Sequence, residues 1–471
     1  MNILHRYLLI FLLGSATSCA TYYEINQEFN ASFERGELQN ADNILAKKEK
    51  KIEKSKERLL YYLNRGTVLS MSGQYAESNE YLEKAYLYTE DYRVNYLNEA
   101  AAMLSNPMFT AYRGEDHENL IVLYYKALNY LKLGEYDNAL VECRRMNIRL
   151  SQLGDKYKSE RKFQQDAFVH NLMGIIYDAK KDYNNAFIAY RNALNIYQTD
   201  YAEMFNIQVP QQLKEDLLRT AYLTGFQQEY DQYKADLGME SYQYTPHDGG
   251  SLVFFLNNGL GPVKSEWSIN FAVLHGQGGM VNFTNDEYGF NFPFTVNYNE
   301  EDGTTSLKDL EFFRVSFPKY QERAEYYTQA YIEVNAQTHP LDLAEDINAI
   351  AFRSLKERML KEFSKSLLRV ALKKAAEYAA RSEDDGLGTA VSLFNALTEK
   401  ADTRNWQTLP HSIYYTRVRL PEGSSEVKLH LGNSFSASNH TETFDYEMRK
   451  GETVFQSYFA LDHVPPLEQY P

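Results

Sequence analysis

Cysteine is scarce in this chain: Cys19 and Cys143 are the only two among 471 residues. Two thiols cannot build a disulfide framework, so any stability must come from packed cores. Positive charge is short as well. The 49 lysines and arginines face 64 aspartates and glutamates, for a formal charge of −15. That balance argues against nucleic acid or anionic lipid as the main partner. The locally basic stretch 47–58 interleaves its lysines with acids and reads as a solvated helix face. Metal and catalytic signatures are missing too. None of the ten histidines pairs with another at a helical ligand spacing, and no His-Glu-x-x-His occurs. There is no Gly-x-Ser-x-Gly elbow, and Ser159-x-x-Lys162 lacks the companion motifs of a serine acyltransferase. The glycines at 276–279 lack the Lys-Ser/Thr ending of a phosphate loop and read as a turn. No metal and no cofactor are expected.

What the chain has is a helical period. Over 120–146, Leu123, Ala127 and Tyr130 recur at helical spacing, and Gly134 breaks the run. Tyr136, Ala139, Leu140 and Cys143 then resume it. Small Ala127 and Ala139 let two helices approach, while Tyr136 fills the space beside the turn. Cys143 falls where a modest apolar side chain belongs and reads as a buried structural thiol. The pattern resembles a tetratricopeptide repeat (TPR). The same turn recurs at Gly36-x-Leu38-x-x-Ala41, at Gly73-x-Tyr75 with Ser78 in the small position, and at Lys181-x-Tyr183-x-x-Ala186. Gly66 and Gly174 occupy the close-packing positions before two of these turns. Offsets of 37, 61 and 47 residues separate the turns, against about 34 in a regular array. The uneven spacing leaves room for a degenerate repeat over 92–107 and a polar insertion over 152–164. A last helix pair, 213–224 and 227–236, closes the array.

The first twenty residues suggest a compartment. Arg6 precedes a short apolar run, 7–13, and small residues lead to Cys19. That is a secretory leader rather than a membrane span. Ala-Thr-Ser-Cys resembles a bacterial lipobox, which implies cleavage before Cys19, acylation of its sulfur and a lipid anchor. Ala20 in place of Asp resembles outer-membrane sorting, facing the periplasm. The anchor would be stable, since each buried CH₂ contributes about 0.8 kcal/mol.

After residue 244 the period shortens. Strands are predicted at 251–256, 267–275, 312–317 and 326–336, with a Gly/Asn-rich loop region over 276–303. A long helix is predicted over 342–381, opened by Asp342 and Glu345 as a capping box. A shorter helix over 389–401 would pair with it and lie on the sheet. Strands at 413–420, 426–431, 442–448 and 453–459 read as a separate antiparallel unit. The expected fold is therefore α+β and multidomain. A leader (1–18) and tether (19–32) precede TPR-like helical repeats (33–240). A mixed strand and helix domain (247–410) and a small C-terminal β unit (411–471) follow.

Four segments, 125–145, 258–264, 346–350 and 401–410, resemble a poorly characterised family of bacterial TPR-containing lipoproteins. The resemblance implies an envelope lipoprotein with no established catalytic activity. Relatives of that kind often sit beside lipoproteins that activate penicillin-binding proteins, or beside curli-channel-like lipoproteins, which points to envelope proteins as partners. The expected role is a protein-interaction scaffold, not an enzyme. The alternative, drawn from the 39 tyrosines, is glycan binding; a cell-wall enzyme in 244–471 ranks third.

Candidate partner-binding residues follow from the repeat geometry. Inner faces of first helices hold ligands, which selects Tyr124, Asn171 and Asp178. Lys264, on a Gly-Pro loop, either presents a cation to an anionic group or is solvated or paired with Glu266. Arg404 and Trp406 either form a partner-binding patch or lock two domains together, with Arg404 held by Asp402 and Trp406 packed beneath; the lock is the favoured reading.

Overall fold

The computed structural model describes residues 21–94, 110–156, 165–287, 289–295, 310–356, 367–368, 370–372, 401–434 and 439–465. Its first half is a stack of helical hairpins. We label the helices α1 (Tyr22–Ile25), α2 (Gln27–Glu34), α3 (Leu38–Ile52), α4 (Arg58–Met71), α5 (Tyr75–Val94), α6 (Asp116–Lys132) and α7 (Tyr136–Lys156). Then follow α8 (Ala167–Ala179), α9 (Tyr183–Ile196), a π-helical turn (Tyr197–Tyr201), α10 (Ala202–Phe205), α11 (Gln211–Thr224) and α12 (Gln227–Asp236).

Each hairpin is set by residues that the sequence marks. Gly134 sits at φ 76°, a conformation that costs an L side chain energy, and α6 ends there. At Gly66 and Gly174 the reason is space. A Cβ on Gly66 would lie 2.5 Å from Leu82, and one on Gly174 would lie 2.4 Å from the Tyr190 ring. These contacts close the α4–α5 and α8–α9 pairs. Cys143 is buried, as its place in the repeat requires, and burial pushes its thiol up, away from the reactive thiolate.

Of the stretch 19–32 read as a tether, residues 19–20 lie outside the described residues and the rest is folded into the array. Tyr22 to Glu34 form α1 and α2, and Phe29 and Phe33 are buried in the same core as the repeats. The period-4 spacing of those two rings on a short helix was the signal. Residues 95–109 and 157–164, which hold most of the degenerate repeat and the Ser159-x-x-Lys162 insertion, lie outside the described residues.

Among the described residues, twelve strands follow. Sheet 1 has the order β12-β1-β9-β8, from Thr453–Ala460, Gly249–Asn258, Ser412–Pro421 and Asp342–Asp346. Sheet 2 has the order β11-β10-β6-β7, from Asn439–Met448, Gly423–Gly432, Gln329–Val334 and Gln337–Pro340. Sheet 3 has the order β4-β3-β2-β5, from Phe290–Thr295, Met280–Asn285, Val263–His275 and Phe312–Gln321. The region read as a Gly/Asn-rich loop thus contains the β3–β4 hairpin. Asparagines alternate with Phe283, Phe292 and Phe294, which pack towards the core of sheet 3, so the apolar half of the pattern was diluted.

Sheet 1 is the middle layer. Val253, Phe255, Ile413, Tyr415 and Phe455 belong to the core shared with the helices. Leu252, Phe254, Leu256, Val418 and Leu420 belong to the core shared with sheet 2. A strand covered on both faces has no polar side, which is why 252–256 reads as an unbroken apolar run. The C-terminal strands are not a separate unit. β12 runs parallel to β1, β9 pairs with β1 and β8, and β10 pairs with β6. A boundary at 410/411 would cut through two sheets.

The helix expected from residue 342 begins later. Asp342 and Glu345 lie on β8, pairing with Tyr415 and Ile413. Asp346 caps the helix over 347–356 instead, its Oδ1 accepting the Ala349 amide at 2.7 Å. Leu367, Val370 and Ala371 pack on sheet 3; the second helix, expected over 389–401, falls outside the described residues except for Ala401, which is not helical.

Candidate functional site

The inner faces of α6 and α8 are the place to look, because a helical array buries one face of each hairpin and offers the other. Here that face meets the helix-facing side of sheet 1. Tyr124 on α6 packs edge-on against Tyr125 and tilts against Phe168, with centroids 5.9 and 5.5 Å away. Its hydroxyl donates to Asn257 Oδ1 of β1 at 3.4 Å. Phe168 on α8 meets Phe255 of β1 edge-on at 6.4 Å. Asn171 is wholly buried beside the Tyr415 phenol of β9. Tyr197 donates to the Ala344 carbonyl of β8 at 2.7 Å.

Asp178 anchors a buried ion cluster. Arg417 of β9 approaches it at 2.7 Å and Asp216 at 2.9 Å. Arg219 of α11 donates to Asp178 at 3.0 Å and to Asp216 at 2.8 Å. Burial alone would raise the Asp178 carboxyl, but the two guanidiniums hold it below its ordinary value. Two cations matched to two anions let the cluster exist in a dry place.

Lys264 is buried and neither solvated nor paired with Glu266. Its ammonium pairs with Glu115 at the start of α6 and donates to the Arg404 carbonyl at 3.2 Å. Glu266 accepts the Ala401 amide instead, at 2.7 Å. Glu118 completes the corner. It accepts from the Trp406 amide at 2.6 Å, the Glu115 amide at 2.9 Å and the Tyr112 hydroxyl at 2.7 Å. Burial, with the charge of Glu115 added, pushes the Glu118 carboxyl up to about 7.

Arg404 and Trp406 form the lock. Arg404 pairs with Asp402 at 2.7 Å and donates to the Thr110 carbonyl at 3.1 Å. The Trp406 indole is buried, tilted against Tyr125, and donates to Thr408 at 2.8 Å; Thr408 in turn donates to Asn64 of α4 at 3.1 Å. The six residues selected from sequence are therefore gathered on one internal seam. As contacts for an outside partner they are corrected: each is covered by the chain's own sheet layer or the 401–410 run.

Sequence reasoning missed Arg323. It is almost wholly buried, donating to the Gly261 and Gln407 carbonyls at 2.7 and 2.5 Å and pairing with Glu34 of α2 at 3.0 Å. Burial pulls its guanidinium down to about 10. It also missed Arg417, which alternates with Val418 and so looks like a solvent-facing residue. The fully apolar β1 beside it was the available signal that both faces of this sheet are covered. A third missed group is His411, whose Nδ1 lies 3.0 Å from Ser412 Oγ and whose Nε2 lies 3.1 Å from Glu322. The order of side chains is that of a nucleophile and base. Ser412, however, is 2% exposed and gives its proton to Glu325, so its hydroxyl is already engaged.

Among the described residues, a groove lies open on the other side of the array. It lies between α5 and the α6–α7 turn, measures about 510 Å³, and is lined by Ala76, Glu80, Lys84, Leu87, Leu133 and Glu135 among others. Leu87 and Leu133 are 50% and 41% exposed. Lys84 is drawn over the Tyr81 ring, 4.6 Å from its centroid. Glu80 and Glu135 face a single lining cation, Lys84, while Glu83 is held by Lys126 and Arg145.

No family model and no curated protein matches the chain. Among solved structures it is similar to BtubC (BKLC) from P. vanneervenii, at 16% identity and a TM-score of 0.30 over 46% of this chain and 81% of that one. It is similar to the MamA protein at 13% identity and 0.29, over 47% and 96%. It is also similar to a tetratricopeptide repeat protein from Parabacteroides merdae at 14% identity and 0.21, over 47% and 80%. Likeness this distant carries nothing about partners; the TPR-like reading of the first half rests on the hairpins themselves.

Proposed function

We propose that the chain is a lipid-anchored envelope scaffold that docks a protein partner in the groove between α5 and the α6–α7 turn. The leader, the apolar run 7–13 and Cys19 support the anchor. The open groove carries the docking reading, because the inner wall of the array is filled by the chain's own sheet. Apolar Leu87 and Leu133 flanked by carboxylates suit a segment that presents lysine or arginine among apolar side chains. Such a segment would desolvate the two leucines, while Glu80, which has no partner among the described residues, would pair with its cation.

Two measurements test this. Radiolabelled palmitate should enter the protein in cells and fail to enter Cys19→Ser. A photo-crosslinking residue at Leu87 should capture a discrete envelope protein, and Leu133→Arg or Glu80→Lys should abolish that adduct. Adducts with lipid alone, or equal adducts from a site on β11, would overturn the scaffold.

A further inference from the structure

We propose that the lysines around the end of α3 are a second, electrostatic attachment to the bilayer, seated on anionic lipid headgroups beside the acyl-bearing N-terminus. This rests on the reading of Cys19 as the acylated residue.

The first observation is charge. Residues 47–58 hold seven basic and three acidic side chains, on a chain whose formal charge is −15. The acids are partly turned inward. Glu49 accepts from Tyr81 at 2.9 Å and pairs with Arg65 at 3.2 Å, while Glu53 and Glu57 are half-buried. Lys47, Lys48, Lys50, Lys51 and Lys54 are exposed and pair with no acid among the described residues. A cluster of bare ammoniums on an acidic protein is a local reversal of the field that an anionic surface would meet first.

The second observation is place. Lys56 follows the cluster, and its carbonyl accepts from the Tyr112 amide at 2.8 Å. Arg404 stands over the Tyr112 ring, 5.2 Å from its centroid. The neighbouring Thr403 accepts the backbone amide of Tyr22 at 3.1 Å. Tyr22 is three residues after Cys19, so the two Cα atoms lie within roughly 11 Å of each other. From Tyr22 onward the chain is pinned: Asn30 donates to Gln407 at 2.9 Å, and Glu34 holds Arg323. No long leash separates the acyl chains from the folded body. So short a link lets the body lie down on the bilayer, and the end of α3 must then touch the headgroups, because the attraction fades beyond one Debye length, about 8 Å at physiological salt. Ile25 on α1, 60% exposed, adds an apolar side chain beside the attachment.

Two attachments differ from one in what they fix. Acyl chains alone leave the body free to swivel, whereas a second contact sets which surface faces the bilayer. The protein then stands with α1 and the end of α3 against the membrane.

The test uses the lipidated protein reconstituted into vesicles of phosphatidylcholine alone, or of phosphatidylcholine and phosphatidylglycerol at three parts to one. An environment-sensitive dye is placed at Lys54→Cys, with Thr441→Cys on β11 as the distant control; Cys143 is buried and does not compete. The dye at position 54 should shift blue only in the anionic vesicles. The shift should vanish in high salt and in the Lys47→Glu/Lys50→Glu/Lys51→Glu variant, while the dye at position 441 stays unchanged. Equal emission in both vesicles, or a shift indifferent to charge reversal, overturns the proposal. The mass of the N-terminal peptide separates the two ideas. If Cys19 carries no acyl chain, the anchor reading fails, and the unacylated chain is sedimented with the same vesicles. Partitioning that falls by at least about a hundredfold with the triple reversal then upholds the patch, since each lost lysine is worth about fivefold and each added glutamate is repelled as well. Partitioning that does not fall overturns it.

Discussion

Tyr125 of α6 lies flat against Phe459 of β12, with ring planes 9° apart and centroids 5.9 Å apart. The two residues are 334 positions apart in sequence, and both rings also sit beside the core that joins the helical array to sheet 1. Offset stacking of this kind adds about 0.5–1.5 kcal/mol beyond the area buried. It makes the array and the sheets one body: the hollow that a row of hairpins ordinarily leaves for others is closed from within.

Arg417→Leu tests the polar part of that closure. The variant leaves Asp178 and Asp216 with Arg219 alone, so one buried carboxylate loses its counter-charge. A cost of about 3–5 kcal/mol is expected, read as a lower urea midpoint with an unchanged slope. Arg417→Leu combined with Asp216→Leu should recover part of the loss, since the pair is then removed together. A single variant as stable as the wild type would mean that the cluster is solvated.

Gly66→Ala tests the steric part. The added methyl would lie 2.5 Å from the Leu82 side chain, so α4 and α5 must part or Leu82 must leave its rotamer. A loss of about 1–3 kcal/mol is expected. In the Leu82→Ala background the same glycine change should cost much less, because the space is already vacated. Equal costs in the two backgrounds, measured as a double-mutant cycle, would remove the close-approach argument.

These two sites also show how far the sequence could be read. Gly66, Gly134, Gly174, Tyr136 and Ala139 each answer a local geometric need, so hairpin positions were visible in a window of thirty residues. The covering of the inner wall is a different kind of fact. It depends on contacts such as Asp178 to Arg417 and Lys264 to Glu115, which join segments more than a hundred residues apart and leave no periodic trace. The repeat pattern selected Tyr124, Asn171 and Asp178 as inner-face residues; in the fold these side chains meet sheet 1 of the same chain, which a local pattern could not reveal. The Asp342 and Glu345 pair failed for a related reason. An acid, two residues and another acid before an apolar run looks the same whether it caps a helix or ends a strand, and pairing with Tyr415 on β9 decided the matter.

Lys181→Gly should stabilise the protein. Lys181 adopts φ 62° at the α8–α9 turn, where Gly73 and Gly134 hold φ 77° and 76° at the equivalent turns. A left-handed conformation costs a residue with a Cβ roughly 1 kcal/mol relative to glycine. The Lys181 ammonium lies near Gly451, 3.2 Å from where a Cβ there would stand, and loss of any contact with that turn offsets part of this gain. An increase of about 0.5 kcal/mol in unfolding free energy is expected, and a decrease would show that the contact outweighs the strain.

Mild acid should tighten the seam. Asp166, the cap of α8, is pushed up to about 6 by burial. Glu345 on β8 is pushed well up by burial first and by the charge of Asp166 second, and the Tyr201 hydroxyl donates to it at 3.1 Å. Glu118 stands at about 7. Each of these carboxyls binds its proton more tightly folded than unfolded. Their contribution to stability is therefore full below the ordinary carboxyl range, near pH 4, and is lost as the pH rises through 6 and 7. Asp178 shifts the other way, so its contribution is retained throughout that window. Unfolding should accordingly require more urea at about pH 5.5 than at about pH 7.5, by on the order of 2 kcal/mol. Glu345→Gln keeps the neutral form at every pH and removes the charge that Asp166 faces. Its stability should vary less between those two pH values than that of the wild type. An unchanged slope in that variant would assign the pH dependence to the corner at Glu118, where Glu118→Gln should then flatten it; a slope that survives both changes would mean that the seam admits water.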